Sequence, residues 1–312
     1  MKYAQTLLKP RVMERVLAKI TVLGSFNMDL TIHATTLPRP GETVLGEALR
    51  QSPGGKGSNQ AIAAARLGAA VCFIGAVGQD PFGADALALH AREGIDTQFV
   101  LRSEMPTGAA LIVVDGAGEN QIAVAPGANS AVSVDVVDAA AGAIREADVL
   151  LAQLEIPIPT FMAAARIARE AGTQVILNPA PWQPLPDDGL SLVDVLTPNE
   201  VELAALSGKA GVPEGVEVAS TYGIESIVVT QGAAGASVFE TGSLTQVAAY
   251  EAEAVDTTGA GDAFNGALAV RLGSGDSLAS AVDFALRAGA HAVGHRGVID
   301  ALAHVADLEV IR

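Results

Sequence analysis

Cysteine, aromatic and charged residues are all scarce in this chain of 312 residues. It has one cysteine, Cys72; 4% of its residues are aromatic and 17% are charged, whereas half are hydrophobic. A single thiol excludes a disulfide framework and a cysteine-based metal site. This composition excludes a disordered protein or a coiled coil. No run of about 18 uncharged apolar residues occurs, so a transmembrane helix is not expected.

Basic residues are also in the minority. The chain has 19 Lys and Arg against 35 Asp and Glu, a net charge of −16. Such a field repels nucleic-acid phosphates and anionic membranes, so neither is an expected partner. Residues 1–18 lack the apolar core and the cleavage site of a signal peptide, so we expect a cytoplasmic protein. We interpret this segment as an extension that precedes a single large α/β domain over residues 19–312.

Short apolar runs rich in β-formers alternate with alanine-rich helical patterns along the rest of the chain. The predicted strands are 20–24, 71–77, 149–154, 174–177, 193–197 and 226–230. The predicted helices are 58–67, 82–93, 160–171, 199–207, 262–272 and 278–293. Strands that are apolar on both faces and alternate with helices indicate a doubly wound, mostly parallel sheet flanked by helices.

Two stretches break this alternation. Leu30–Gln51 and Thr107–Ala125 each have the pattern of a strand, a turn and a second strand. We expect them to pair into one small sheet that forms a lid over the site. Residues 208–225, rich in Gly, Pro and Glu, are predicted to cross the surface.

Polar residues follow several of the predicted strands, at the edge where open α/β sheets bind ligands. They are Asn27, Asp29, Glu155, Asn178, Asn199, Glu202, Thr230 and Gly232. A single Asn or Asp at such a place is commonly a turn former or a helix cap. The joint occurrence of acids, amides and glycine turns at one edge favours a binding site.

The segment Asp256-Thr-Thr-Gly-Ala-Gly-Asp262 contains the strongest local motif. Gly259 and Gly261 allow a tight turn into a helix, whose first amides would then converge on an anion. Asp262, in the same first turn, is placed to take a proton from a hydroxyl that attacks a phosphoryl group. The alternative is an aspartate that only stabilises the helix dipole.

A second glycine motif, Ser52-Pro-Gly-Gly-Lys-Gly-Ser-Asn-Gln60, opens the first predicted helix. Asn59 offers a donor and an acceptor together, which suits sugar hydroxyls. The motif is not a Walker A loop, because Arg50 and Gly57 stand where that loop needs Gly and Ser or Thr. The alternative is a glycine turn and an ordinary helix start.

These motifs resemble those of the ribokinase family, the sugar kinases of the PfkB superfamily, over nearly the whole chain from about Ile20. The resemblance rests on Gly24-Ser-Phe-Asn-Met-Asp29, Gly54-Gly-Lys-Gly-Ser-Asn-Gln60, Gln153-Leu-Glu155, Asn199-Glu-Val-Glu202 and Asp256–Asp262. It implies a ribokinase-like fold and the use of ATP, Mg²⁺ and K⁺. Together with Asn178-Pro-Ala-Pro181, it implies phosphorylation of D-ribose at the 5-hydroxyl.

The resemblance also implies individual roles. Sugar hydroxyls would be held by Asn27, Asp29, Gly55, Lys56, Asn59 and Glu155. Asp262 would be the base, and the amides of Gly259, Ala260 and Gly261 would hold the transferred phosphoryl group. The nucleotide would contact Asn199, Thr230, Gly232, Ala233, Gly235 and Gly261, and Glu202 would organise Mg²⁺ through water. The potassium ligands would be Asp256, Thr258 and carbonyls of Ala292, His295 and Gly297; Ala301 replaces a serine of some relatives, which puts one ligand in doubt.

Two alternatives remain open for the function. One is a kinase of another sugar or of a nucleoside, such as deoxyribose or an adenosine-like compound, although few aromatic residues are available to hold a base. The other is a sugar-binding sensor without catalysis, which would need neither Asp262 nor Glu202. Exposed edges of the small sheet predict a homodimer.

Overall fold

The computed structural model describes residues 17–186, 188–309 and 311. The strands are β1 (Lys19–Leu23), β2 (Asn27–His33), β3 (Arg50–Gly54), β4 (Ala70–Gly78), β5 (Asp96–Ser103), β6 (Gly108–Val114), β7 (Asn120–Ala125), β8 (Val149–Gln153), β9 (Gln174–Asn178), β10 (Val195–Leu196), β11 (Ser226–Thr230), β12 (Ala236–Glu240) and β13 (Ser243–Val247). The helices are α1 (Lys56–Arg66), α2 (Pro81–Arg92), α3 (Val134–Ala139), α4 (Ala141–Glu146), α5 (Ile158–Ala171), α6 (Glu200–Ser207), α7 (Val212–Ser220), α8 (Ala260–Gly273), α9 (Leu278–Val293) and α10 (Val305–Leu308). Of the predicted extension, residues 1–16 lie outside this range, and Ala18 is buried.

Nine strands form the main sheet, in the order β13-β12-β11-β10-β9-β8-β1-β4-β5. All neighbours are parallel except the pairs β11–β12 and β12–β13. The mostly parallel sheet predicted from the sequence is confirmed. The chain runs from β1 outward to β4 and β5, then returns to β8 on the other side of β1. This reversal opens a crevice at the carboxyl ends of β1 and β8, where ligands of such sheets bind.

Helices cover both faces of the sheet, because side chains of successive strand residues alternate between two cores. Ile20 and Leu151 belong to the core beneath α1, α8 and α9. Leu23 and Leu150 belong to the core beneath α3 to α7. These four side chains are at most 1% exposed, so the central strands and their carboxyl ends are firmly held.

The second sheet has four strands in the order β3-β2-β6-β7. It confirms that the two irregular stretches pair into one small sheet. β2 follows β1 after only three residues, Gly24–Phe26, so the small sheet stands at the carboxyl end of β1. Its outer strand, β7, is exposed along its whole length.

The stretch 208–225, predicted as a surface crossing, contains a helix that the sequence analysis did not predict, α7. Pro213 lies in the first turn, where its missing N–H costs nothing, and the apolar residues Val216 and Ala219 face the core. The sequence prediction also omitted β5, β12, β13, α3 and α4. Within the described residues, no helix has the length and apolar character needed to cross a membrane.

Candidate active site

The N-terminal ends of α1 and α8 meet at the carboxyl end of the main sheet. The two helices approach each other closely because residue 266 of α8 is a glycine. A Cβ atom on Gly266 would lie only 2.6 Å from the Cβ of Ala63 of α1. The approach brings Asn59 and Asp262 into hydrogen-bonding contact, although they are 203 positions apart in sequence.

Asp262 lies at the centre of this arrangement, in the first turn of α8, and is 8% exposed. Its Oδ2 accepts a hydrogen bond from Asn59 Nδ2 at 2.8 Å, and its Oδ1 accepts one from Gln60 Nε2 at 2.9 Å. Burial raises the pKa of the carboxyl group, opposed by the charge of Lys56 and by these two hydrogen bonds. The site therefore holds a carboxylate that is more basic than an exposed one.

Four carboxyl groups surround the ammonium group of Lys56, and we call Asp29, Glu155, Glu202 and Asp262 the acidic cluster. Burial raises the pKa of Asp29 to about 6, and the negative charges of Glu155 and Asp262 add to the effect. Burial raises the pKa of Glu202 as well. Burial alone would lower the pKa of Lys56, but the surrounding carboxylates outweigh it and raise that pKa, so the lysine stays charged.

Two predicted sugar residues are fixed by hydrogen bonds to neighbours, of which Ser25 and Asn129 were given no role in the sequence analysis. Glu155 Oε2 accepts hydrogen bonds from Ser25 Oγ at 2.5 Å and from the Lys56 amide at 3.1 Å. Asn27 Oδ1 accepts one from Asn129 Nδ2 at 2.9 Å, which leaves the Asn27 Nδ2 group for another partner. Asn59 Oδ1 is buried and has no hydrogen-bond partner among the described residues.

Gly55 allows the start of α1 to approach β2. Its φ of 91° lies in the region that favours glycine, and a Cβ there would lie 2.6 Å from the Asn27 amide nitrogen. The backbone of Gly55 therefore lies beside Asn27, and the two residues lie on the same side of the site as Asp29.

A cleft of about 850 Å³ opens on the other side of α8. The residues that line it and were predicted to contact a nucleotide or phosphate are Thr230, Gly232, Ala233, Gly235, Ala260 and Gly261. Phe264, Leu286 and Tyr250 add apolar surface to it. No side chain caps the N-terminus of α8 at Gly259, and Ala260 and Gly261 of its first turn line the cleft. An anion at this end of the helix would be stabilised.

Asn199 and Glu202 form a capping box at the start of α6. Asn199 Oδ1 accepts a hydrogen bond from the Glu202 amide at 2.8 Å, and Glu202 Oε2 accepts one from the Asn199 amide at 2.9 Å. Asn199 lies outside the residues that line the cleft, although its backbone pairs with that of Thr230. Asn199 is thus the cap of α6, and its contact with a nucleotide stays a prediction.

The predicted potassium ligands lie in two segments of the chain, one around Thr258 and one around Gly297. Hydrogen bonds to the Asp256 carboxylate connect the two segments. This carboxylate accepts hydrogen bonds from the amides of Thr258, at 3.0 Å, and Gly297, at 3.1 Å. Although burial opposes them, these bonds lower the pKa of Asp256. Ala301 is buried and has no side-chain oxygen to offer.

His291 and His295, which flank the same loop, stack on each other with 4.3 Å between ring centroids. In the part of the chain that the structure describes, no three His, Cys, Asp or Glu side chains are grouped to hold a metal ion.

The family model described as "pfkB family carbohydrate kinase" matches residues 17–304. This chain belongs to that family. It is 42% identical to the ribokinase of Haemophilus influenzae over 284 residues, which cover 89% of this chain and 93% of the relative. The ribokinase of Thermotoga maritima has the same fold, with a TM-score of 0.87 and 32% identity over 94% of this chain and 98% of that one. The ribokinase of Arabidopsis thaliana in complex with ribose and ATP matches with a TM-score of 0.86 and 30% identity, over the same shares of the two chains.

In this PfkB-family kinase, several polar residues of the site escaped the sequence analysis. Gln60 follows Asn59 within the glycine motif, and that adjacency was the available signal. Asn129 lies in a short 3₁₀ helix, Gly127–Ala131, after the small sheet, and no periodicity indicates its contact with Asn27. Tyr250 follows the hairpin of β12 and β13, which was not predicted.

Proposed function

We propose that this protein catalyses the ATP-dependent phosphorylation of D-ribose at its 5-hydroxyl, giving ribose 5-phosphate and ADP. The observation that supports this most directly is the position of Asp262. Its buried carboxylate lies between a cluster of sugar-compatible side chains and the open N-terminus of α8. The relatives named ribokinases, and the one whose structure contains ribose and ATP, support ribose as the acceptor.

The sugar side of the proposed site offers both donors and acceptors. Its members are Asn27, Asp29, Gly55, Lys56, Asn59 and Glu155. Asn59 Oδ1, buried without a partner among the described residues, fits a hydroxyl donor of the sugar, since an unpaired buried carbonyl is costly. The Asn27 Nδ2 group fits a sugar oxygen as acceptor.

The nucleotide side of the proposed site is the cleft beside α8. The adenosine would contact its apolar surface, and the phosphates would reach the glycine turn Gly232–Gly235 and the first amides of α8. Asn199, at the start of α6, would contact the nucleotide from beside Thr230, with which its backbone pairs. The amides of Gly259, Ala260 and Gly261 would hold the γ-phosphoryl group as negative charge develops on it.

In the proposed reaction, the 5-oxygen of ribose forms a bond to the γ-phosphorus while the bond from that phosphorus to the β–γ bridging oxygen breaks. The hydroxyl proton passes to Asp262, whose raised pKa suits a general base. Asn59, which donates a hydrogen bond to Asp262 Oδ2, also faces the sugar side of the site. Most of the acceleration would come from this positioning and from the amides that face the phosphoryl group.

The residues present fit a magnesium ion bound mainly by substrate. Glu202 contributes one half-buried carboxylate, and the described residues offer no larger acidic metal cluster, which suits an ion that retains water and phosphate ligands. When bound, Mg²⁺ would neutralise phosphate charge. The oxygens of Asp256, Thr258, Ala292, His295 and Gly297 would suit a hard monovalent cation such as K⁺.

We also propose a cytoplasmic homodimer that associates through the small sheet. Leu111, Ile122 and Val124 of this sheet are apolar and more than half exposed. Sedimentation velocity should give the mass of a dimer, and a monomer at micromolar concentration would contradict this association.

ADP release measured with a panel of acceptors tests the proposed function. The purified protein is supplied with ATP, MgCl₂ and KCl together with D-ribose, 2-deoxyribose, other sugars or adenosine. We expect the highest kcat/KM with D-ribose and one ribose 5-phosphate formed per ADP. A higher kcat/KM with another acceptor would identify that compound as the substrate. If no acceptor in the panel leads to ADP release, the sugar-binding sensor is favoured.

A further inference from the structure

A chain of buried side-chain amides is hydrogen-bonded to Asp262. Gln60 Nε2 donates hydrogen bonds to Asp262 Oδ1 at 2.9 Å and to Asn178 Oδ1 at 3.1 Å. Gln60 Oε1 accepts one from Gln153 Nε2 at 2.5 Å. Gln60 and Gln153 are fully buried and Asn178 is 8% exposed. No step of the proposed reaction uses these three amides directly.

The direction of this chain is set by a backbone carbonyl. Asn178 Nδ2 donates a hydrogen bond to the Thr197 carbonyl at 3.0 Å, and a carbonyl can only accept. Asn178 must therefore turn its Oδ1 toward Gln60. Gln60 must in turn present its NH₂ group to both Asn178 and Asp262, and its Oε1 to Gln153. The amide of Gln60 thus cannot flip without breaking three hydrogen bonds.

Asn59 and Gln60 divide the two oxygens of the same carboxylate between them. Asn59 binds Oδ2 and keeps its own Oδ1 unpaired toward the site. Gln60 binds Oδ1, and both polar atoms of its side chain are already engaged by protein groups. Asn59 can therefore accept a hydrogen bond from a ligand, whereas the hydrogen bonds of the Gln60 side chain all go to other residues of the protein.

We propose that Gln60 is a positioning residue, oriented by Gln153 and Asn178, that fixes the Asp262 carboxylate in place for proton transfer from the sugar. The inference rests on the proposed function in that it takes Asp262 as the base. It differs from the roles of Asn59 and Lys56, because it assigns Gln60 no contact with the sugar.

The ionisation of Asp262 depends on the groups that face it from each neighbouring element. Lys56 at the start of α1 favours the charged form, whereas Glu155 after β8, Asp29 on β2 and Glu202 on α6 oppose it. Burial already raises the Asp262 pKa, and the Gln60 hydrogen bond lowers it. Removing that donor should therefore raise the pKa further.

The test compares Gln60→Leu and Gln60→Glu with the unmodified protein. We expect Gln60→Leu to move the acid limb of the kcat/KM profile upward by about one pH unit and to lower kcat at neutral pH about tenfold. The KM for D-ribose should change less than about threefold, because Gln60 does not touch the sugar. Gln60→Glu should move the limb further, since a second carboxylate repels the ionised form of Asp262.

A readout without turnover separates this inference from the proposed function. The Asp262 carboxyl carbon is titrated by ¹³C NMR in the unliganded protein, with Asp262→Asn used to assign its signal. The midpoint should rise in both Gln60 variants, even if no acceptor in the panel is phosphorylated. Thr173→Val is the matched control: it removes a buried hydroxyl bonded to the Ile144 carbonyl, remote from Asp262, and should leave the midpoint unchanged.

Two results would overturn the inference. One is an Asp262 midpoint and a pH profile that are both unchanged in Gln60→Leu. The other is a rise of more than tenfold in the KM for ribose at unchanged kcat, which would make Gln60 a sugar contact. If Gln60→Leu does not unfold cooperatively, Gln153→Leu decides, because it keeps Gln60 but removes the donor that orients it. Its midpoint should shift upward too, and an unchanged midpoint would contradict the proposal.

Discussion

Asn129 donates a hydrogen bond to Asn27 Oδ1 at 2.9 Å, across 102 positions of sequence. The same amide donates to the Phe26 carbonyl at 2.9 Å and accepts a bond from the Phe26 amide at 3.0 Å. The 3₁₀ helix that follows the small sheet is therefore attached to the strand that carries the proposed sugar residues. The orientation of the Asn27 side chain depends on this attachment.

Asn129→Ala should weaken ribose binding, because Asn27 would lose the bond that directs its Nδ2 group toward the sugar. We expect the KM for ribose to rise about tenfold and the free energy of unfolding to fall by about 2 kcal/mol, since buried polar groups are left unpaired. Kinetics and urea unfolding measure the two effects. Asn120→Ala, at an exposed position of β7, is the control and should change neither. An unchanged KM in Asn129→Ala would contradict the role given to this residue.

Asp262→Asn should lower kcat by at least about 10²-fold, because an amide cannot accept the hydroxyl proton. ADP release measures the loss, and calorimetry should still detect ribose binding to the variant. Asp135→Asn, at an exposed position in the first turn of α3, serves as the control for a lost aspartate. Turnover of Asp262→Asn near that of the unmodified protein would exclude Asp262 as the base.

Asp29→Asn should stabilise the protein at neutral pH while it weakens ribose binding. The pKa of Asp29 is about 6 in the folded protein and 3.8 in a model compound, so the folded state binds more protons between these values. The free energy of unfolding therefore falls as the pH rises through this window and stays lower above it. The variant lacks this loss and should be more stable by about 3 kcal/mol at pH 7.

Urea unfolding of Asp29→Asn and the unmodified protein between pH 5 and pH 8 gives the measurement. The advantage of the variant should grow from pH 5 to pH 7 and then level off. A stability difference that is the same at every pH would refute the raised pKa of Asp29.

Gly261→Ala should raise the stability of the protein and at the same time weaken its use of ATP. Gly261 has space around its Cβ position, so alanine should raise the free energy of unfolding by about 0.5–1 kcal/mol within α8. The added methyl group would stand in the cleft where the phosphates are proposed to bind, and we expect the KM for ATP to rise about tenfold.

Gly142→Ala is the matched control for this substitution. Gly142 also lies in a helix, α4, with nothing near its Cβ position, but far from the cleft. It should gain similar stability with an unchanged KM for ATP. Unaltered ATP kinetics in Gly261→Ala would place the phosphates elsewhere.

The regular parts of the fold could be predicted because their signals are local. The predicted helix 278–293 agrees with α9 at both ends, and Gly172 ends α5 with a φ of 80°, as its place after Ala171 predicts. Edge strand β5 alternates polar and apolar residues less clearly, and α7 is short and rich in glutamate and glycine. Their structure depends on tertiary contacts that a sequence pattern does not display.

The motif residues of the site were predictable for the same reason, since glycines and acids at fixed spacings mark them. Gln60 and Asn129 were not, because each depends on a partner more than 100 positions away. No local pattern distinguishes a buried glutamine that orients a carboxylate from one that is simply packed. Their roles become visible only when hydrogen bonds are traced from atom to atom.

The bond between Asn59 and Asp262 has a consequence for biosynthesis. Translation produces α1, which carries Asn59, early. Asp262, whose carboxylate binds Asn59, is added 203 residues later. At about 5–20 residues per second, the nascent chain spends ten seconds or more without the aspartate proposed as its base. If Asp262 is that base, an unfinished polypeptide cannot phosphorylate a sugar, and the activity begins only when translation is nearly over.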